Sequence, residues 1–461
     1  MTYAPHRALL RPRLATTLVL SLALAACSTA PYQAPTLVAP ATFDGAGSTP
    51  AQTTLPQWWL AFKDPALDQL ITTGLAQNLN VLQAVERVQE ARALANVTAA
   101  NSLPQIGVSA KAGLTEPMGA SSVMVEEANS NLSWVVDLFG RVQSTKATSN
   151  ARLDAAYASA DVARITLTGA VASAYVDLRY YHNRITLTRE SIGSRKKTVG
   201  LVQSSFEAGA STKLDTLRAD QLVAIADAQL PAMEVGYATA LNRLSTLTGQ
   251  PLAKLAQDLQ RGSAQPVPHF RATVGVPADV LRHRPDVIVA ERDMAAAYAA
   301  VGVAKADLYP SLTLGGTITA AGTDGAWGNT TRSFGPSVTL PLFNRDKIQN
   351  AVNAAQSRAK QADLAWQATV RGAVEEIQNA LAAYSRDGRN MAAQERLTSI
   401  SVQTLDLARS SFEIGQGDFL SVLEAERTLL DAKASLADAS HARAINFIRL
   451  STATAAGVST D

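Results

Sequence analysis

The sequence FEAGASTKLDTL at residues 206–217 recurs as FEIGQGDFLSVL at residues 412–423, an offset of 206 residues. The same offset relates Arg243-Leu244-Ser245-Thr246 to Arg449-Leu450-Ser451-Thr452. Chance does not hold one offset over so much of a chain, so these matches indicate a tandem duplication. Two copies are too few for a solenoid, and each half is therefore predicted to be one large unit.

A long segment without proline precedes each copy of this motif. Helices over residues 142–205 and 347–411, about 64 residues each, would be roughly 95 Å long. A compact globule of this chain length has a radius of gyration of only about 23 Å, so such helices cannot lie within one. A sharp reversal after a helix favours glycine, which tolerates positive φ, and this is the role predicted for Gly209 and Gly415.

Ahead of each long segment, apolar residues alternate with polar or small ones in two short runs. A period of two is typical of β-strands, and each run is long enough for a tilted strand in a membrane. Four membrane strands cannot close into a barrel alone, because the smallest single-chain barrels use eight. The chain is therefore predicted to share a barrel with further copies of itself, whose number the strands leave open. The four predicted strands are about 103–116, 128–139, 309–321 and 332–343.

The N-terminal segment has the features of a bacterial lipoprotein signal. Three arginines precede an apolar run, too short to span a bilayer, that ends in Leu24-Ala25-Ala26-Cys27. This ending resembles the lipobox, and Cys27 is the only cysteine in the chain. Residues 1–26 are therefore predicted to be a signal peptide, with lipidation at Cys27 and a proline-rich tether over 27–56. By the lipobox rule, Ser28 after the cysteine favours the outer membrane. A secretory signal with an incidental cysteine is the alternative.

Composition and motif content exclude several classes of function. The net charge of +2 provides no basic excess for binding nucleic-acid phosphates. The five histidines lack metal-ligand spacing, and no glycine-rich phosphate loop follows a predicted strand. No serine lies in a nucleophile elbow, and acidic residues are spread along helices, where solvated faces are the default. We therefore predict no enzyme, no cofactor and no metal site.

Several motifs together resemble those of the TolC-type outer-membrane factors, in particular the lipoprotein branch that serves resistance-nodulation-division efflux pumps. The resemblance runs from about Trp58 to Gly457, and its strength lies in the order and spacing of the motifs. In chain order the motifs are Trp58-Trp59 with Phe62 and Asp64-Pro65, Trp134 with Asp137-Leu138-Phe139-Gly140-Arg141, Phe206-Glu207-Ala208-Gly209, Arg284-Pro285-Asp286 with Ala290-Glu291, Tyr309-Pro310-Ser311, Leu340-Pro341-Leu342-Phe343 and Phe412-Glu413-Ile414-Gly415.

The resemblance implies an α+β membrane protein that is a homotrimer. Three chains would share one twelve-stranded β-barrel, continuous with a long α-helical barrel that crosses the periplasm. The implied partners are a periplasmic adaptor protein, an inner-membrane pump and the lipid of the outer membrane. The first repeat is expected over 57–250 and the second over 277–457, with a linker at 251–276 and helical hairpins at 142–250 and 347–456.

The resemblance also implies a pore gate near the two motif turns. The narrowest ring corresponds to Leu420, Ser421 and Glu424, with Asp418 beside it, and Asp215 matches a further aspartate at the tip. Some family members have an aspartate at the position of Ser421, so a doubled acidic ring is expected only if Asp418 substitutes for it. Three copies of Glu424 around one axis would repel each other and attract cations. The alternative is that Glu424 and Asp215 are ordinary solvated helix positions.

The turns themselves are the contacts that the resemblance assigns to the adaptor. The residues concerned are Phe206 with Gly209 and Phe412 with Gly415. The two phenylalanines could equally be packing residues that fix the turns.

The predicted function is a passive exit duct for drugs or other small molecules, the outer-membrane channel subunit of a tripartite efflux pump. The duct of a type I protein secretion system is the nearest alternative, which the predicted lipid anchor disfavours. A periplasmic coiled-coil scaffold without a pore is a second alternative, in which the alternating segments are merely amphipathic strands.

Overall fold

The same order of helices and strands occurs twice along the chain. The computed structural model describes residue 36 and residues 57–116, 118–119, 121–260, 264–269 and 277–455. The predicted signal peptide, Cys27 and all of the predicted tether except residue 36 lie outside these ranges.

Each copy has helices, two strands, a very long helix and a shorter helix. The first copy consists of a 3₁₀ helix at Trp58–Phe62, α1 (Pro65–Gln77), α2 (Leu79–Ala100), β1 (Gln105–Thr115), β2 (Val123–Val136), α3 (Arg141–Glu207), α4 (Lys213–Thr248) and α5 (Leu252–Leu259). The second consists of α6 (Pro277–Arg282), α7 (Pro285–Ala306), β3 (Ser311–Thr323), β4 (Ala326–Thr339), α8 (Arg345–Glu413) and α9 (Phe419–Ala453). A duplicated α+β chain with four strands confirms the predicted fold class.

The long helices are continuous despite their interior glycines. α3 has 67 residues and α8 has 69. At two positions glycine permits close packing: a Cβ on Gly169 of α3 would lie 2.8 Å from Cγ2 of Thr452, and a Cβ on Gly236 of α4 would overlap the ring of Tyr181. The helix propensity lost at these glycines is therefore offset by the close approach of neighbouring helices. Within the described ranges, every helix is either too short or too polar to cross a membrane.

The four strands form one antiparallel sheet in the order β1-β2-β3-β4. The central pair, β2 and β3, joins the two repeats, from Val125 opposite Thr323 to Val136 opposite Leu312. Side chains of directly paired residues project from the same face, so the register gives the sheet one mainly polar face and one mainly apolar face. The outer edges of β1 and β4 have no partner strand within the described ranges.

Two strands begin earlier than the sequence predicts. β2 begins at Val123 instead of residue 128, and β4 begins at Ala326 instead of residue 332. Residues 123–127 of β2 include two adjacent glutamates, Glu126 and Glu127, which project from opposite faces of the sheet. Apolar alternation alone does not mark such a segment as a strand.

The same two strands also end earlier, at Val136 and Thr339 rather than near residues 139 and 343. After β2, Asp137 is engaged with the start of α3, where its Oδ2 accepts a hydrogen bond from the Gln143 N–H at 2.8 Å. After β4, Pro341 has no N–H to donate to a strand ladder.

The predicted linker at 251–276 contains a short helix, α5. Its buried Leu255 and Leu259 are four residues apart and therefore lie on one helical face. Two buried leucines at helical spacing are enough to order this segment as a helix. The prediction of a linker did not include that helix.

The described residues form two compact units, and each combines both repeats. The first unit contains residues 87–157 and 288–368, with the whole sheet. The second lies within 37–86, 158–287 and 369–461. The predicted boundaries therefore mark the duplication rather than the compact units, since β2 of one repeat pairs with β3 of the other.

The first sequence motif forms part of the core of the second unit. The rings of Trp58 and Phe62 pack edge-on against Phe447 of α9, with centroid separations of 6.0 and 5.4 Å. Asp64 caps α1 by accepting a hydrogen bond from the Ala66 N–H at 3.0 Å. Aromatic packing and a helix cap therefore account for this motif.

Candidate functional site

The two motif turns have the same backbone geometry. Gly209 and Gly415 follow the long helices with φ of 77° and 74°. In each turn the glycine N–H donates to the carbonyl oxygen three residues back, at 2.9 and 3.0 Å. The next N–H donates to the carbonyl oxygen five residues back, at 2.8 and 2.9 Å. This pair of hydrogen bonds is the Schellman motif, so both glycines have the positive φ that the sequence predicts.

The helices after the turns start with different caps. Thr212 and Asp215 form a capping box, in which Thr212 Oγ1 accepts from the Asp215 N–H at 3.3 Å and the Thr212 N–H donates to Asp215 Oδ2 at 3.0 Å. In the second copy, Asp418 Oδ1 accepts from the Ser421 N–H at 2.7 Å. The Thr212 hydroxyl lowers the pKa of Asp215, and the Ser421 N–H lowers the pKa of Asp418. Both aspartates therefore start helices, whatever further role they have.

The residues predicted to form the gate share one face of α9. Leu420, Ser421 and Glu424 are all exposed, and their spacing places them together on the solvated side of the helix. Glu424 pairs with Arg427, three residues later, at 2.7 Å. The two side chains are 59% and 60% exposed, so within one chain the carboxylate is solvated and already has a cation beside it.

The opposite face of α9 packs the two helical hairpins together. Phe419, Val422 and Leu423 are buried in one cluster with Val202 of α3 and Leu405 of α8. Because α3 and α8 belong to different hairpins, this cluster joins both near their turns.

The two motif phenylalanines have different surroundings. Phe412 is half-buried and packs against the cluster, with its ring 5.7 Å from that of Phe419. Phe206 is exposed. Packing accounts for Phe412, whereas Phe206 is accessible for contact with another protein.

An ion pair with a buried carboxylate lies beside the residues predicted to form the gate, since Glu426 follows Glu424 by two positions. Glu426 Oε1 accepts from Arg409 Nη2 at 2.5 Å and from the Thr198 hydroxyl at 2.7 Å. The Glu426 side chain is only 4% exposed, whereas that of Arg409 is 34% exposed. Arg409 also donates to the Ser194 hydroxyl at 2.6 Å. The pair thus connects α3, α8 and α9 through polar contacts at the place where the hairpins pack.

A second cation, Arg195, is buried and lies close enough to Glu426 to interact electrostatically. Its Nη1 donates to the carbonyl oxygen of Leu222 in α4 at 2.6 Å. Burial lowers the pKa of Arg195, and the carboxylates of Glu426 and Asp431 oppose that effect. All four helices of the two hairpins therefore contribute to one polar cluster.

The sequence contains a signal for this cluster that the predicted gate did not use. Phe419, Val422, Glu426 and Leu429 are spaced as one helical face, so Glu426 is a carboxylate within an otherwise apolar stripe. A charged residue at such a position needs a partner. Its partner on α8 could not be identified without the packing of the hairpins.

The Arg284-Pro285-Asp286 motif is a structural junction in the second unit. Arg284 Nη2 donates to Asp286 Oδ2 and to Glu376 Oε2, each at 2.7 Å, and its Nη1 donates to the carbonyl oxygen of Ala453. The arginine therefore ties the start of α7 to α8 and to the end of α9.

Two histidines in the described ranges have a polar side-chain contact. His441 Nε2 lies 2.6 Å from Asp177 Oδ1, and His283 Nδ1 lies 2.7 Å from the carbonyl oxygen of Asp279. No set of three or more His, Cys, Asp or Glu side chains in this part of the chain is arranged to hold a metal ion.

A two-faced antiparallel sheet joined to duplicated, very long helical hairpins is the architecture of an outer-membrane channel subunit. The family model described as outer membrane efflux protein matches the chain twice, over residues 70–250 and 276–456. The two matches are offset by 206 residues, as the two motif turns are. The chain belongs to the outer membrane efflux protein family.

Known proteins resemble the chain over nearly its whole length. Nodulation protein T of Rhizobium leguminosarum bv. trifolii is 37% identical over 435 residues, 92% of this chain and 93% of that protein. Cation efflux system protein CusC of Escherichia coli O6:H1 is 28% identical over 455 residues, 95% of this chain and 97% of that protein. The solved structure of the outer-membrane channel OprN superposes with a TM-score of 0.83 at 28% identity, covering 92% of this chain and 98% of the other. The protein is an outer-membrane efflux channel, and neither the family description nor these names refer to protein secretion.

Proposed function

We propose that three chains assemble into one exit duct, through which a tripartite pump releases small molecules without any catalytic step in this chain. The observation that carries the proposal is the sheet, with one polar face, one apolar face and two outer edges unpaired within the described ranges. A sheet in hydrocarbon has to close, because unpaired backbone groups there are costly. Three copies supply twelve strands, a number within the range of closed barrels.

In this proposal the exposed face of α9 forms the narrow part of the duct. Leu420, Ser421 and Glu424 line it, while Asp418 and Asp215 hold the starts of their helices in place. What supports this assignment is that the three lining residues share one solvated face, opposite the packed face of the same helix.

The adaptor and the lipid anchor complete the proposed assembly. The turns at Gly209 and Gly415 are the proposed docking site for a periplasmic adaptor, with the exposed Phe206 as the contact and Phe412 as the packing residue behind it. Cys27 is the proposed site of lipidation, which would hold the mature chain at the outer membrane.

The assembly is tested on the purified full chain. Its mass in detergent, measured by light scattering with correction for detergent, is expected to be that of three chains. The same fraction is expected to give stepwise currents in a planar lipid bilayer. A monomer, or a trimer that never conducts even in the gate variants described next, would contradict the proposed duct.

The gate is tested with two substitutions on the same face of α9. Glu424→Gln removes an acidic group from the proposed ring and is expected to increase conductance and reduce preference for cations. Arg427→Gln is the matched control, because it removes the positive charge that pairs with Glu424, and the two side chains are almost equally exposed. It is expected to increase the preference for cations. The same shift for both variants, or none for either, would place Glu424 outside the conduction path.

A further inference from the structure

The apolar face of the sheet is the face suited to lipid. Toward the end of the sheet nearest the long helices it carries large, exposed apolar side chains. They include Ile106, Phe334 and Val338, with Trp134 on the same face. A membrane barrel has apolar and aromatic residues outside and polar residues inside. The opposite face of this sheet therefore lines the lumen of the proposed duct.

The lumenal face carries mainly uncharged hydroxyl and amide groups, with small residues and a few valines between them, and some of these polar groups bond to one another. Asn129 Nδ2 donates to Thr319 Oγ1 at 2.8 Å, and the hydroxyls of Thr317 and Ser333 lie 2.7 Å apart. These four residues belong to adjacent rows of the register, so they form a continuous neutral band across β2, β3 and β4.

Two charged residues interrupt this face, and they form an ion pair. Lys111 on β1 and Glu127 on β2 are directly opposite in the register, with Nζ and Oε2 2.9 Å apart. Within the described strands they are the only charged residues whose register places them on the lumenal face. The lysine is 72% exposed and the glutamate 31%, so both charges remain in contact with the space in front of the sheet.

We propose that the Lys111–Glu127 pair is the charge-balancing element of the strand region, and that this region therefore accepts solutes of either charge. The inference rests on the proposed trimeric duct, in which three such pairs form one ring with no net charge. Loss of either member would leave three like charges around a narrow lumen, and such rings select ions by sign. The pair is thus a specificity-determining feature that acts by cancelling charge.

A cysteine at Ser109 reports the potential near the ring, because Ser109 lies on the lumenal face two residues, about 7 Å, from Lys111. The full chain is reconstituted in liposomes at low salt, with the chain lacking the new cysteine as the labelling blank. Modification of Ser109→Cys by a cationic and by an anionic methanethiosulfonate is measured and normalised to a free thiol. Without substitutions at the pair, the normalised rates are expected to be about equal.

The charge variants then change these rates in opposite directions. One unbalanced charge at about 7 Å in water changes each rate about threefold, so the ratio of the two rates shifts about tenfold. Glu127→Gln is expected to favour the anionic reagent, Lys111→Gln the cationic one, and the double variant to restore the original ratio. Unchanged ratios in both single variants would overturn the proposal.

Two controls separate this inference from the proposed duct. Arg332 lies on the apolar face, opposite Ile318, so Arg332→Gln removes a positive charge without reaching the lumen. A shift like that of Lys111→Gln would refute the face assignment and with it the proposal. Ile106→Cys is expected to resist labelling, because it faces lipid. Labelling of Ile106→Cys with protection of Ser109→Cys would instead contradict the duct itself.

Discussion

The buried ion pair between Arg409 and Glu426 makes a quantitative prediction about how the two hairpins are held together. Arg409→Met removes the guanidinium but keeps a long apolar side chain. Glu426 would then be left 4% exposed with one hydrogen bond, from Thr198 at 2.7 Å. Removal of one partner from a buried pair costs about 3–5 kcal/mol. Because Arg409 is 34% exposed, water can reach its place, and the buried Arg195 still lies close enough to Glu426 to interact with it electrostatically. We therefore expect the lower limit of about 3 kcal/mol.

A matched control is available on α9, the helix that carries Glu426. Arg427 pairs with Glu424 at 2.7 Å, close to the Arg409–Glu426 distance of 2.5 Å. Both side chains of the Arg427–Glu424 pair, however, are largely exposed. Arg427→Met is therefore expected to cost no more than about 1 kcal/mol, as exposed pairs do. The two substitutions are chemically identical and differ in the burial of the carboxylate left behind.

The assay is hydrogen exchange of the detergent-solubilised trimer, read by mass spectrometry in peptides from α8 and α9 next to the pair. A loss of about 3 kcal/mol corresponds to roughly 140-fold faster exchange when exchange follows local opening. Peptides around Phe447 serve as the internal reference and are expected to be unchanged. Replacing both partners, Arg409→Met with Glu426→Met, is expected to restore only part of the protection, because it removes the carboxylate that Arg409→Met leaves behind but also takes one acidic neighbour from the buried Arg195, which keeps Asp431. Equal effects of Arg409→Met and Arg427→Met would refute the assigned role of burial.

Three further predictions concern the turns and the anchor. Gly415→Ala is expected to lower local stability by about 1–2 kcal/mol in hydrogen exchange, because alanine is strained at a φ of 74°, whereas Gly193→Ala within α3 is expected to have no destabilising effect. The Asp418 carboxyl that caps α9 has a lowered pKa, so its contribution to stability is present above about pH 4 and is lost as the pH falls through the folded-state pKa. The melting temperature of Asp418→Asn, measured by circular dichroism, is therefore expected to depend less on pH in that range. Cys27→Ala is expected to abolish incorporation of labelled palmitate, and continued incorporation would contradict lipidation at Cys27.

Much of the fold follows from the sequence because its signals are local or repeated. The constant offset between the motif turns predicts the duplication, and the absence of proline predicts the long helices. Gly209 and Gly415 predict reversals because few other residues adopt positive φ easily. The sequence did not predict residues 123–127 of β2 for a physical reason: two adjacent glutamates, Glu126 and Glu127, interrupt the apolar alternation, and apolar periodicity cannot detect such a segment.

The site was less predictable because its chemistry depends on contacts between distant segments. Only the resemblance assigned Leu420, Ser421 and Glu424 to a gate, and the structure puts them on one exposed helical face. The capping role of Asp418 depends on its backbone φ and ψ, which a motif does not specify. The partnership of Glu426 with Arg409 joins two helices across a packed interface, and no spacing in the sequence encodes that contact.

The two copies carry opposite charges at one matched position just after the turns, and this changes what the gate is expected to be. Glu424 corresponds to Arg218 of the first copy, and each lies within 4 Å of an oppositely charged neighbour on its own helix. Six such helix starts around one axis would carry charges of both signs, so repulsion among three glutamates is largely offset. Leu420, which is exposed beside them, then becomes the principal barrier, because apolar constrictions close a pore by excluding water.

Leu420→Ser is therefore expected to raise conductance in a planar bilayer more than Glu424→Gln does. Leu214→Ser is the matched control, since Leu214 occupies the corresponding exposed position after the first turn. We expect it to have the smaller effect, because the second copy carries the buried Glu426 that holds its helix against the other hairpin. A larger response to Glu424→Gln than to Leu420→Ser would show that charge repulsion, not the apolar constriction, closes the duct.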